Sequence, residues 1–252
     1  MSGDVHRIAE TVAACANCET PLRAGQKFCG HCGQRAHAGR LTMRQIAHDI
    51  VHALTHADHS IFSLVKQLAY RPGHVAREYV DGRRKKYFGP FPFVVISVGL
   101  ASFMIYLTGV HFFSPITESG AAGFLQRHVN VVIVLQMPFL AGWCWLLFWS
   151  SRLNYAEHLV LAAYTSGFRM LFLGLITTPV MYFANLSPGN LTVAPLYYGL
   201  WMIYFAVAAA QFHRGNLIWT VVRAAVAAAL AQLSTIVLIY LFIIVYAYSG
   251  AP

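Results

Sequence analysis

The sequence predicts an all-α integral membrane helical bundle of about five transmembrane helices, headed by a small N-terminal zinc-ribbon β-hairpin module. Three observations point there. Apolar residues make up 58% of the 252 positions and charged residues only 11%, against about 25% charge in an ordinary soluble domain. Residues 1–90 hold 13 Lys/Arg and 7 Asp/Glu, whereas residues 91–252 hold 5 and 2. Four cysteines open the chain as two C-x-x-C pairs, CANC and CGHC, ten residues apart. The expected divisions are a flexible N-terminus (1–14), a four-cysteine zinc ribbon (15–34), cytosolic or interfacial amphipathic helices with a polybasic junction (42–90), and a transmembrane domain (91–252).

Residues 1–14 carry Asp4, Arg7 and Glu10 and lack the apolar run of a secretory signal. The N-terminus is therefore expected in the reducing cytosol, where closely spaced cysteines favour metal over disulfides. Cys15, Cys18, Cys29 and Cys32 offer the tetrahedral four-sulfur set preferred by Zn²⁺, with a rubredoxin-type iron as the rival. Gly33 suits the left-handed backbone of a knuckle, and Pro21 and Gly25 supply a turn in a connecting hairpin. His31 lies inside the second knuckle and is an alternative ligand, though four thiols already suffice. A four-thiolate zinc is coordinatively closed and hence structural, so zinc is the one cofactor expected and no catalytic residue is assigned. A module this small relies on metal for its folding free energy.

Met43–Ala69 reads as an amphipathic helix capped by Thr42. Ile46, Ile50, Leu54, Ile61, Val65 and Leu68 share one face. His48, His52, His56 and His59 share the other with Lys66, all four imidazoles within about 80° of arc. Histidines at i,i+4 can chelate a second metal or sense pH. With no carboxylate or cysteine on the stripe, a solvated polar face is the simpler reading.

Pro72 and Gly73 end that helix and Pro72–Val80 begins another, stopped by Asp81-Gly82. Arg83, Arg84, Lys85 and Lys86 follow directly before the first apolar stretch. Such a cluster anchors topology and meets anionic phospholipid at roughly 1 kcal/mol per residue. In this setting the net charge of +9 points to a membrane surface rather than to nucleic acid.

Five apolar stretches follow, at 91–113, 129–149, 159–184, 193–212 and 219–248. Each reaches or approaches the roughly 20 helical residues that cross a ~30 Å hydrocarbon core. With the N-terminus inside, Arg83, Arg84, Lys85, Lys86, Arg152, Arg214 and Arg223 fall on the cytoplasmic side and only Arg127 opposite. This satisfies the positive-inside rule for an N-in, C-out chain. Trp143, Trp145, Trp149, Trp201 and Trp219 lie mostly towards helix ends, and Cys144 reads as packing.

Arg169 falls in the middle of the third stretch, where a charge costs at least ~2.5–3.5 kcal/mol. Two readings stand. The span begins only at Met170 and runs to Leu186, with Tyr155–Phe168 along the interface and Arg169 snorkelling to headgroups. Alternatively Arg169 is internal, and Gln136, Gln232 or a lipid phosphate partners it. Pro138 and Pro179 would kink their helices and free carbonyls nearby.

The CxNC knuckle, FCGHCGQ, Leu41-Thr42, Asp58 and the run RPGHVAREYVDGRRKKYFGPFPFVV resemble the bacterial domain-of-unknown-function family 3667. The matching junction positions are Pro72, Gly73, Arg77, Tyr79, Gly82, Arg84 and Tyr87, and NYAEHLVLAAY (Tyr155, Glu157, His158) resembles the family's middle region. The resemblance covers most of residues 15–165. It implies a zinc ribbon and several membrane helices in a bacterial inner membrane, and no activity.

The expected function is that of a non-enzymatic membrane protein whose ribbon and basic junction form a cytosolic docking platform for a protein partner. A transporter or channel for a small or lipidic anion, using Arg169, is the alternative. An enzyme acting on lipid headgroups through Glu157 and His158 is the third, though adjacent helical residues point to different azimuths.

Overall fold

In the computed structural model, residues 13–23, 25–36, 39–44, 46, 60–110, 129–186 and 193–248 are described. The histidine stripe predicted at His48, His52, His56 and His59 lies outside them, as does Arg127. The C-terminal part of the predicted Met43–Ala69 helix is α1, Ser60–Tyr70. Leu64 and Leu68 on its apolar face are fully buried.

The helix α2, Pro72–Val80, has the bounds expected from its punctuation. Pro72 stands in its first turn, where a missing N–H costs nothing. Asp81 caps it, and Gly82 turns the chain away at φ 109°. The next helix, α3 (Pro90–Thr108), again opens on proline and stops at Gly109 in the left-handed region. It is followed among the described residues by α4 (Val129–Leu147), which contains Pro138.

Asn154 and Glu157 start α5 (Tyr155–Phe172) with a capping box. Each side chain accepts from the other residue's backbone N–H, at 2.9 and 2.8 Å. The helix continues through a π-helical turn, Leu173–Thr177, into Thr178–Phe183. Pro179 has no N–H to offer the regular ladder. The widened turn instead brings both the backbone N–H and the hydroxyl of Thr178 to the Leu173 carbonyl. Two further helices, α6 (Val193–His213) and α7 (Leu217–Tyr248), complete the described part of the bundle.

Among the described residues, three helical segments are long and apolar enough to cross a membrane: Pro90–Thr108, Tyr155–Phe183 and Leu217–Tyr246. Helices do occupy the second and fourth predicted stretches, as α4 and α6. The segment containing α5 is central and mostly buried by its neighbours, whereas α3 and α7 are mostly exposed. The helix that begins at Tyr155 continues past Met170 as one segment to Phe183. Ala156–Gly167 is enclosed by neighbouring helices and runs unbroken into the rest.

Small residues set the close approaches, as expected where apolar helices gain nothing from hiding apolar surface from lipid. A Cβ on Gly167 would lie 2.7 Å from the Phe93 ring, and one on Gly174 2.7 Å from the Ala101 Cα. The contacts join α3 to α5 and to the π-helical turn that continues it. A Cβ on Gly73 would lie 1.9 Å from the Ala208 carbonyl oxygen, locking α2 onto α6.

Candidate metal centre and its anchorage

Cys15, Cys18, Cys29 and Cys32 come together with all four sulfurs within 4.8 Å of one another. The pairs cross between knuckles, Cys15 Sγ to Cys32 Sγ and Cys18 Sγ to Cys29 Sγ, each at 3.6 Å. A tetrahedral site with metal–sulfur bonds of ~2.3 Å needs about 3.8 Å between sulfurs. The four cysteines are thus spaced to hold a metal ion.

The two knuckles are built alike. In the first, the Cys15 N–H donates to Thr20 O (3.0 Å) and the Glu19 N–H to Cys15 O (2.8 Å). In the second, the Cys29 N–H donates to Gln34 O (2.7 Å) and the Gly33 N–H to Cys29 O (2.9 Å). The residue after the last cysteine is left-handed in both, Gly33 at φ 70° as expected and Glu19 at φ 62°.

The expected β-hairpin is not seen as such: no strand occurs among the described residues. Isolated antiparallel bridges Ala14↔Pro21 and Phe28↔Arg35 close each knuckle separately. The ten-residue spacer is consumed by these closures and by a turn at Gly25, φ 77°, which leaves too little chain for a ladder between them.

As free thiols the cysteines are inequivalent. Hydrogen bonds from the Thr20 hydroxyl and backbone bring Cys18 down to about 6. The backbone of Gln34 lowers Cys32, but burial and the neighbouring Cys18 and Cys15 thiols prevail and push it up to about 11.

The second knuckle is bolted to the junction by Gln34, which is 5% exposed. Its Nε2 donates to Gly82 O (2.6 Å), and its Oε1 accepts from the Arg84 and Lys85 backbone N–H groups (3.1 and 3.3 Å). The basic run is therefore not a free patch. Arg83 pairs with Glu19 (3.4 Å) and Glu78 (3.7 Å), and Arg84 donates to Gly39 O (2.7 Å). The Lys86 ammonium sits 2.6 Å from Glu78, which also accepts from the Tyr87 hydroxyl at 2.9 Å. Lys85 remains exposed. Burial alone would raise Glu78, but Lys86, Tyr87 and Arg83 outweigh it and hold the carboxyl below its ordinary value.

A second anchor was not legible in the sequence. Arg40 donates through Nε and Nη2 to the two Glu157 carboxylate oxygens, at 2.9 and 3.0 Å, and also to the Arg152 carbonyl. Asn154 Nδ2 donates to Leu41 O (2.9 Å). Glu157 is thus taken up by Arg40 and its capping role, while His158 faces elsewhere.

His158 stacks on His213 with ring centroids 5.2 Å apart, and His213 stacks on Phe148 at 3.7 Å. None of the four ring nitrogens has a hydrogen-bond partner among the described residues. Neither histidine's pairing carries a signal in the sequence, because they stand 55 positions apart on different helices.

Arg169 is internal, at 4% exposure. Its Nη1 donates to Gln136 Oε1 (2.7 Å) and its Nε to the Tyr197 hydroxyl (3.1 Å). The Gln136 Nε2 passes the chain on to Gln232 Oε1 (2.7 Å). The guanidinium also lies over Trp201, Tyr198 and Tyr197, 4.5, 5.1 and 5.2 Å from the ring centroids. Both glutamines expected as partners of an internal Arg169 are in the network. Cys144 is buried within α4.

Residues 58–101 match the model of a family described as Protein of unknown function (DUF3667). The family resemblance drawn from the junction motif is thereby borne out over α1, α2, the basic junction and the first part of α3; the cysteine module lies outside the matched segment. No curated protein matches the chain, and no solved structure does.

Proposed function

We propose that this chain is a non-enzymatic protein of a bacterial inner membrane, in which a zinc-held headpiece forms a cytosolic docking platform rigidly attached to the membrane bundle. The reading includes five spans, with α4 and α6 joining the three longer ones, an N-terminus in the cytoplasm and a C-terminus in the periplasm. Supporting that orientation, the headpiece, the junction, Arg152 and Arg214 gather at one end of the bundle through Arg40 and Asp81. Zn²⁺ is the metal we assign to Cys15, Cys18, Cys29 and Cys32, because a closed four-thiolate set suits it and leaves no position for a reacting water.

The observation that carries the reading is the Gln34 clamp. A closed site cannot itself react, yet its second knuckle is tied by three hydrogen bonds to the segment that begins the bundle. Metal binding would then fix a surface relative to the membrane. That surface bears Phe28, 54% exposed, beside a groove of about 620 Å³ lined by Pro21, Arg23, Gln26 and His31. A protein partner is the ligand expected there, and anionic phospholipid the surroundings of Lys85.

The test compares proteins recovered with the intact chain, with Cys29→Ser, and with Phe28→Ser. The last variant leaves the thiols untouched. A partner lost in both variants supports the docking role; identical partner sets in all three would overturn it.

Anion transport through Arg169 is the second reading, favoured by the lack of a carboxylate beside that charge among the described residues. The enclosing aromatic rings and glutamines fit a structural role better. Unchanged anion flux on Arg169→Gln in liposomes would remove this reading.

A further inference from the structure

On the outside of the bundle, α6 and α7 leave a groove of about 680 Å³ that the docking role does not use. Its α6 wall is Ile203, Ala206, Val207, Ala210 and Gln211, successive positions of one helical stripe, and Arg214 follows just past the end of the helix. Leu217 and Val221 of α7 form the other wall, and His74 of α2 also lines the groove. From Ile203 to Gln211 the stripe rises about 12 Å, a little under half of a ~30 Å hydrocarbon core. With Arg214 beyond its end, the groove approaches the depth of one leaflet. Two positions after Leu217, at the start of α7, Trp219 is 65% exposed, as an interfacial indole is.

The chemistry of that end is one-sided. The Gln211 oxygen already accepts from the Gly73 N–H at 3.0 Å, which leaves its amide N–H groups as donors. Arg214 is a donor only, and His74 supplies an N–H. The nearest carboxylate, Asp81, is held by Arg77 at 3.1 Å and reaches Arg214 only at 3.8 Å. Two guanidinium groups against one carboxylate leave a net positive charge. An apolar trough approaching one leaflet in depth, closed by donors and an excess cation, is complementary to an acyl chain carrying an acceptor-only anionic head.

We propose that the α6–α7 groove is a specific site for one bilayer phospholipid with a net-anionic phosphodiester headgroup, its acyl chain along Ala206 and Ala210 and its phosphate at Arg214, Gln211 and His74. The site requires α6 and α7 to lie in a bilayer but is independent of the docking role.

Native mass spectrometry of the full chain in non-ionic detergent tests it, with phosphatidylglycerol or phosphatidylcholine of matched chains added. One guanidinium contact at an anionic headgroup is worth about 1 kcal/mol, or about five-fold in affinity. The intact protein should retain one phosphatidylglycerol per chain at least about five-fold better than phosphatidylcholine. Arg214→Gln should abolish that preference, and Ala210→Trp, which fills the trough, should release both lipids. Arg223→Gln, an exposed cation of α7 outside the groove, should change neither. Equal retention of the two lipids by the intact chain, or equal effects of Arg214→Gln and Arg223→Gln, would overturn the proposal. So would a phosphatidylglycerol adduct that persists in Ala210→Trp, or binding of glycerol 3-phosphate as well as of the lipid.

Discussion

The Arg40 guanidinium grips the Glu157 carboxylate with two charge-assisted hydrogen bonds, although 117 positions separate the residues. Glu157 is almost wholly buried while Arg40 is half exposed. The carboxylate also accepts from the Asn154 N–H at 2.8 Å, so one side chain starts the central helix and fastens the segment after the cysteine knuckles to it. A double-mutant cycle with Arg40→Ala and Glu157→Gln, read by unfolding in detergent, should give a coupling of about 1–3 kcal/mol. A coupling below about 0.5 kcal/mol would mean the solvent-facing part of the guanidinium screens the pair and the anchor is weak.

Glu78 makes the junction sensitive to acid. Its folded carboxyl lies below the ordinary value, so the stabilisation is present above the unfolded pKa of about 4.3. It is lost as pH falls through the lower folded value. The Lys86 ammonium is shifted the other way, upwards, chiefly by its hydrogen bond to Glu78. Its contribution is lost only at strongly alkaline pH. Melting temperature should therefore fall below about pH 5, and Glu78→Gln should flatten that part of the profile. A profile identical in the variant would show that another carboxylate controls the acid limb.

Gly73 has no room for a methyl group, since Ala208 O would lie 1.9 Å from it and Gln211 Cβ 2.6 Å. Gly73→Ala should destabilise the chain by about 1–3 kcal/mol, the ordinary cost of overpacking. Gly99→Ala, where a Cβ meets nothing within 4 Å, should be neutral or slightly stabilising through helix propensity. Comparable melting temperatures for the two variants would show that α2 and α6 separate readily.

Arg169 and Gln136 should respond unequally. Gln136→Leu removes the carbonyl that receives the guanidinium at 2.7 Å and leaves a buried charge undersolvated. A loss of about 3 kcal/mol or more is expected. Arg169→Met removes the charge itself and leaves two neutral groups short of a donor, about 1–3 kcal/mol each before relaxation into water or one another. Thermal unfolding should therefore rank Gln136→Leu as the more damaging. The opposite order would point to a positive charge retained for structure at that depth.

Spacing and punctuation carried much of the local structure. C-x-x-C twice, with Gly33 behind the second pair, foretold four converging sulfurs and one left-handed residue. Glu19, its counterpart, was missed because glutamate does not advertise a positive φ. Pro72 and Asp81-Gly82 bounded α2, since a missing N–H and a glycine turn act within a few residues. The expected hairpin is not seen as such, since spacer length alone does not say whether a bridge closes a knuckle or joins two.

By itself, then, the sequence determined the membrane class, the cysteine cluster, the boundaries of α2 and the glutamines near Arg169. Only the tertiary structure decided that Gln34 meets Gly82, Arg40 meets Glu157, His158 meets His213 and Gly73 meets Ala208. The division has a physical cause. Knuckles, caps and helix ends depend on neighbours along the chain, but an apolar helix in an apolar medium has no hydropathic face that names its partner. Which sides meet follows from where small residues let backbones approach and where isolated polar groups find one another, and both are settled only when the helices pack.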